Sequence, residues 1–132
     1  IHSKEEFQRF YAMTMTQPPW VPGVVLDAIA QRYEQACDEL EEIFREYRAS
    51  APMEPRLPDI KCPTLLVWGR KDRLIDVSSV AIWSKGIDDL RVEILEGIGH
   101  LPMVEDPSHT AQVYREFLAS QRSESPQDQR LH

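Results

Sequence analysis

A chain of 132 residues carrying a formal net charge of −7 has room for one small domain or a piece of a larger one. That acidic balance argues against a nucleic-acid partner, since phosphate binding needs clusters of Lys and Arg. The two cysteines, Cys37 and Cys62, make neither a disulfide framework nor a metal site; as separate reduced thiols they favour a cytoplasmic chain, and membrane association of a parent protein stays open.

From the N-terminus, Ser3-Lys4-Glu5-Glu6 predicts a capping box, with Ser3 bonding the Glu6 amide and the Glu6 side chain reaching back. Phe7, Phe10, Tyr11 and Thr14 then share one helical face, and the helix should end before Gln17-Pro18-Pro19. Pro22 suits the first turn of the next helix. Val25, Ile29, Tyr33, Ala36, Leu40, Ile43, Phe44 and Tyr47 follow at steps of mostly three or four, which predicts one helix or two between Pro22 and Arg48. A joint at Cys37-Asp38 would let Asp38 cap the second piece. The apolar edge Met13, Met15, Trp20 and Val21 has two readings: the rim of a pocket or gate, or ordinary core.

Ala51 to Pro63 contains Pro52, Pro55, Pro58 and Pro63 and is expected to be a linker. Thr64 to Trp68 is nearly all apolar, as a strand covered on both faces requires. Val77 to Lys85 predicts one helix, capped by Asp76 and stopped by Gly86, with Trp83 packed on the sheet. Arg91 to Leu95 has strand length and composition. Strand, helix, strand with short joints is a βαβ unit, so the two strands should be parallel neighbours in an α/β fold.

Parallel neighbours lie about 5 Å apart, so loops leaving their carboxyl ends are neighbours as well. Asp72 stands on the first such loop and His100 on the second, at the sheet edge where open α/β folds place their sites. An Asp that accepts a bond from one imidazole nitrogen fixes the tautomer and leaves the other nitrogen free as a base. Asp72 and Asp76 could also be turn residues; Asp76 is read as the helix cap, with an alternative role as the acid. Arg70, Lys71 and Arg73 are read as surface, and a cation among them would help keep Asp72 ionised. Gly97 and Gly99 bracket the His100 loop; His2, His109 and His132 lack any such setting and are read as structural. Asp106 and Pro107 should start the last helix, with Ala111, Tyr114, Phe117 and Leu118 as its buried stripe. Leu101, Pro102, Met103 and Val104 would wrap the floor or rim of the site, and the polar run 121–132 should be a disordered tail.

Pro63-Thr64-Leu65-Leu66-Val67-Trp68-Gly69 with Asp72, then Gly99-His100, then Glu105-Asp106-Pro107, resembles the C-terminal third of an α/β-hydrolase. The nearest flavour is the monoacylglycerol-lipase-like and bacterial lipase or esterase branch, where a WGxxDxxxD loop and a GH-x-x-x-x-E-x-P loop recur. The resemblance implies that residues 1–50 are a helical cap or lid, and that residues 51–120 are strands seven and eight with the last two helices. It implies Asp72 as the acid and His100 as the base of a catalytic triad, with Trp20, Leu101 and Met103 as candidate substrate contacts. It implies an acyl-ester or lipid-like substrate and no metal or organic cofactor.

A serine hydrolase of this kind needs a nucleophile elbow, Gly-x-Ser-x-Gly, and no serine in this chain is bracketed by glycines. The chain alone is therefore expected to be inert, the C-terminal fragment of a larger hydrolase whose missing N-terminal half supplies nucleophile and oxyanion donors; Ile1, which is not Met, agrees with that. A fragment of this kind would have a bare strand edge, which should drive dimerisation, element swapping or covering by its own helices. The alternatives are the same fold with an Asp nucleophile, as in haloalkane dehalogenases and epoxide hydrolases, or a C–C bond hydrolase. A non-catalytic binding module is a further alternative.

Overall fold

Two parallel strands lie at the centre of the molecule. In the computed structural model, which describes residues 1–123, β1 (Thr64–Gly69) pairs with β2 (Leu90–Leu95) in a register running from Thr64 opposite Leu90 to Gly69 opposite Leu95. Both strands are half-buried along most of their length and become buried only at their last residues, Gly69 and Leu95. Full cover on both faces, expected from the apolar run of β1, is absent; among the described residues the sheet has two strands.

Three helices precede the sheet. α1 (Lys4–Thr14) is capped by the Ser3 hydroxyl, which accepts from the Glu6 amide at 3.2 Å. The return half of the capping box is displaced by one residue, because the Glu6 carboxylate accepts from the His2 amide at 2.8 Å. Phe7 and Thr14 are buried on the expected face, and Phe7, Phe10 and Tyr11 form a tilted aromatic cluster with Tyr33. α2 (Gly23–Gln35) and α3 (Cys37–Ala49) are separate helices whose joint is Ala36; Asp38 lies in the first turn of α3 and does not cap it. No residue of α3 is buried, and Ile43, Phe44 and Tyr47 are largely exposed.

The proline-rich stretch is more ordered than a linker. Glu54–Asp59 forms a 3-10 helix that buries Leu57 against the helix between the strands, where a Cβ on Gly86 would lie 2.5 Å from the Leu57 side chain. That intervening helix is split: a 3-10 turn at Val77–Ser79, capped by Asp76 Oδ1 on the Ser78 amide at 2.9 Å, leads into α4 (Val80–Gly86). Trp83 is half-buried. After β2 come α5 (Pro102–Glu105) and α6 (Pro107–Ser123), with Asp106 Oδ1 accepting from the His109 amide at 3.1 Å. The buried position of α6 is Val113, not the predicted stripe: Tyr114 and Leu118 face solvent, while Ala111 and Phe117 are half-buried. Gln121, Arg122 and Ser123 belong to α6, so the expected disordered tail begins too early; its remainder lies outside the described residues. Both cysteines are free thiols. No helix among the described residues is long and apolar enough to cross a membrane.

Candidate active site

The site grows out of the ends of β1 and β2. Past Gly69 the ladder continues through the Arg70 amide to the Leu95 carbonyl at 3.0 Å, and the Lys71 amide then reaches the Ile98 carbonyl at 2.8 Å. The two loops therefore leave the sheet stitched together. They also touch backbone to backbone: a Cβ on Gly69 would fall 1.9 Å from the Gly99 carbonyl oxygen, so only glycine fits there. Gly97, at φ +79°, makes the left-handed turn that starts the second loop.

Asp72 is held by its own turn. Its Oδ1 accepts from the Leu74 amide at 2.8 Å and the Ile75 amide at 3.0 Å. This aims Oδ2 at His100, whose Nδ1 lies 2.8 Å away. An ionised carboxylate only accepts, so Nδ1 carries the proton and a neutral ring keeps the lone pair on Nε2. No group among the described residues bonds Nε2. The Asp72 side chain is 4% exposed and that of His100 33%, so the carboxylate is enclosed while the imidazole has an open side. Burial pushes the Asp72 pKa up, but the Ile75 amide, the His100 ring and the Leu74 amide together outweigh it and hold the carboxyl below its usual range. Asp72 is thus ionised at neutral pH, as orienting a neutral imidazole requires.

The open side of His100 faces a small cavity of about 120 Å³, lined by Val67, Trp68, Gly69, Asp72, His100 and Pro102. Trp20, Leu101 and Met103 are not in that lining: Trp20 is 87% exposed, Met103 is exposed and Leu101 half-buried, whereas the neighbouring Pro102 is buried and does line it. Arg70 pairs with Glu96 at 2.9 Å instead of supporting Asp72. Asp76 is engaged in capping, and its bonds from Ser78 lower its pKa. No cluster of three or more metal-ligating side chains occurs among the described residues.

Glu105 is the residue whose part in the site was missed. Its Oε1 accepts from the Gly99 amide at 2.8 Å, and its Oε2 accepts from the amides of Thr16 at 2.7 Å and Gln17 at 2.9 Å. The His100 amide donates to the Thr14 carbonyl at 2.8 Å, so the end of α1 borders the site. A glutamate at the end of a short helical turn carries no local signal for such bonding; only its spacing after Gly99-His100 hinted at a role.

No family model matches the chain. It is similar to lipase 1 of Psychrobacter immobilis, with 35% identity over 120 residues that make up 89% of this chain and 38% of the lipase. It is similar as well to the mouse monoacylglycerol lipase ABHD6, 40% identical over 79 residues, which are 60% of this chain and 23% of that enzyme. Among solved structures, a membrane phospholipase A, a bacterial virulence factor, superposes with a TM-score of 0.88 at 37% identity, covering 92% of this chain and 40% of the phospholipase chain. CarC, a serine hydrolase involved in carbazole degradation, superposes with a TM-score of 0.73 at 19% identity over 91% of this chain and 48% of its own, a likeness of fold alone. The chain thus spans about two fifths of the length of the lipase and phospholipase it matches. With its two parallel strands and surrounding helices, and with these superpositions, the chain has the α/β-hydrolase fold and corresponds to the C-terminal portion of it.

Proposed function

We propose that this chain supplies the acid and the base of a Ser-His-Asp triad to a lipase- or esterase-like parent hydrolase. The observation that carries the reading is the 2.8 Å contact from His100 Nδ1 to the enclosed Asp72 carboxylate, with Nε2 unbonded beside a cavity. Asp72 holds the ring in the Nδ1–H tautomer and stabilises the imidazolium. His100 Nε2 takes the proton from a serine hydroxyl as that oxygen attacks an ester carbonyl, and returns it to the departing alcohol. Water then repeats the cycle on the acyl-enzyme. The serine and the oxyanion donors belong to the part of the parent that precedes this sequence, and the open edge of β1 is where its preceding strand pairs. Residues 1–50 act as the cap over the site, and the substrate is a small acyl ester or a lipid-like ester, in line with the lipases and the phospholipase that the chain resembles.

The test has two arms. The 132-residue chain incubated with a short-chain p-nitrophenyl ester should give no turnover above background; turnover that vanishes in His100→Ala would refute its inertness. In the parent protein, Asp72→Asn should lower kcat by about 10⁴-fold and His100→Ala by about 10⁶-fold, the losses typical of the acid and the base of such a triad. A parent that hydrolyses esters at the unmodified rate with His100→Ala would overturn the assignment of the base.

A further inference from the structure

The strongest bonding centre beside the Asp72–His100 pair is the Glu105 carboxylate. It collects three backbone amides from two segments far apart in sequence: Gly99 on the His100 loop, and Thr16 and Gln17 just after α1. The bonds are 2.7 to 2.9 Å long, in the range of charge-assisted hydrogen bonds. A Cβ on Gly99 would lie 2.9 Å from Glu105 Oε1, 3.0 Å from the Thr16 nitrogen and 3.2 Å from the Met15 Cα, so the three segments meet at backbone distance. Next along the chain, the His100 amide is fixed to the Thr14 carbonyl. Thr14 and Met15 are buried, and Pro18 and Pro19 follow immediately. The backbone that carries the imidazole is therefore clamped on two consecutive residues against the exit of α1.

We propose that Glu105 is a positioning residue for His100: its carboxylate locks the Gly99-His100 backbone to the Thr14–Gln17 segment, so that the placement of the first helix sets the aim of the imidazole at Asp72. The functional weight of this rests on the reading of His100 as the base. The coupling itself is a property of this chain and can be measured without any turnover. A displacement of Thr16 and Gln17, for instance on movement of the helices that follow, reaches His100 through one rigid carboxylate.

Glu105→Gln separates the two halves of the clamp. A glutamine offers one acceptor oxygen and one amine, so it can serve the Gly99 amide or the Thr16 and Gln17 amides but not both. The readout is the ring ¹⁵N spectrum of His100 in the 132-residue chain, which distinguishes Nδ1–H from Nε2–H. In the unmodified chain the Nδ1–H form should dominate. In Glu105→Gln the ratio of Nδ1–H to Nε2–H should fall roughly five- to tenfold, the effect of losing one hydrogen bond's worth of positioning, while amide exchange at Thr16 and Gln17 rises. A folded Glu105→Gln chain with faster exchange at Thr16 and Gln17 but an unchanged His100 ratio would overturn the proposal and leave Glu105 a structural tie. Should Glu105→Gln fail to fold, Gln17→Pro decides: it deletes one of the three donors at an exposed position beside two existing prolines. A shift of the His100 ratio in the same direction supports the coupling, and an unchanged ratio refutes it. Because no substrate is involved, a failure here is distinct from a failure of the ester-hydrolase reading.

Discussion

Replacing Asp72 with Asn tests the geometry of the pair most directly. The carboxylate makes three bonds: Oδ1 takes the Leu74 and Ile75 amides, and Oδ2 takes His100 Nδ1. Asn keeps the shape, and its oxygen can keep the two amides. Its amine then faces Nδ1, which must give up its proton and accept, so the ring should switch to the Nε2–H form, whose outward nitrogen is no longer a base. Folding loses the difference between one charge-assisted bond and one neutral bond, about 1 kcal/mol. The effect sits at the low end because the His100 side chain is one-third exposed and water competes for it. Asp72→Ala removes all three acceptor contacts and leaves the half-buried Leu74 amide unpaired, which should cost about 2–3 kcal/mol. Urea unfolding at constant m-value measures both variants, and the His100 ¹⁵N spectrum follows the tautomer. Equal losses for Asn and Ala, or an Asn variant that keeps the Nδ1–H ring, would mean that the Asp72–His100 contact does not set the proton's place.

Two further outcomes follow from the same contacts. Gly69→Ala should destabilise the chain by at least the ~1–3 kcal/mol typical of overpacking, since its Cβ would strike the Gly99 carbonyl, which is backbone and cannot swing aside. Gly97→Ala, whose Cβ meets nothing but whose φ is +79°, should cost about 1–2 kcal/mol by the same urea measurement. With pH the sign runs one way: the folded-state pKa of Asp72 is depressed, so its contribution is complete above the unfolded value near ~3.9 and is lost as pH falls through the lower folded value. The stability difference between the unmodified chain and Asp72→Asn should not shrink between neutral pH and roughly pH 5, and should shrink below about pH 4. A difference that instead shrinks between pH 5 and 7 would show that another group governs it.

The βαβ unit was legible because each of its signals is local. Thr64 to Trp68 and Arg91 to Leu95 have strand composition, Asp76 bonds the amide two residues on, and Gly97 takes the positive φ that a sharp loop needs. Two parallel strands then leave little freedom for the loops that follow, so the approach of Asp72 to His100 could be anticipated from topology. What could not be read depends on partners distant in sequence. Glu105 looks like any helix-start carboxylate until Thr16 and Gln17 are brought to it. Leu57 sits in a proline-rich stretch whose composition predicts a loop, yet it lies in a 3-10 helix and is buried where Gly86 leaves room for its side chain. The stripe of α6 was misplaced for the same reason: Val113 is chosen by the surface opposite, whereas Tyr114 and Leu118 satisfy helical periodicity equally well and remain exposed.

The Asp72–His100 contact needs little of the sheet. Its distance is set by the register that places Gly69 beside Leu95, by the backbone approach of Gly69 to Gly99, and by the turn in which Asp72 accepts two amides. All three lie within β1, β2 and the loops at their ends. The remaining restraint, on the His100 backbone, comes from Thr14 directly and from Thr16 and Gln17 through Glu105. α1 is therefore tied into the site through its C-terminal end, while α3, with no buried residue and with Ile43, Phe44 and Tyr47 open, makes no comparable contribution. Substitutions on the outer face of α3 should then leave the His100 tautomer untouched, whereas changes at the α1 exit should not. Mechanically, the first helix belongs with the Asp72 and His100 loops even though more than forty residues of other structure separate it from the sheet.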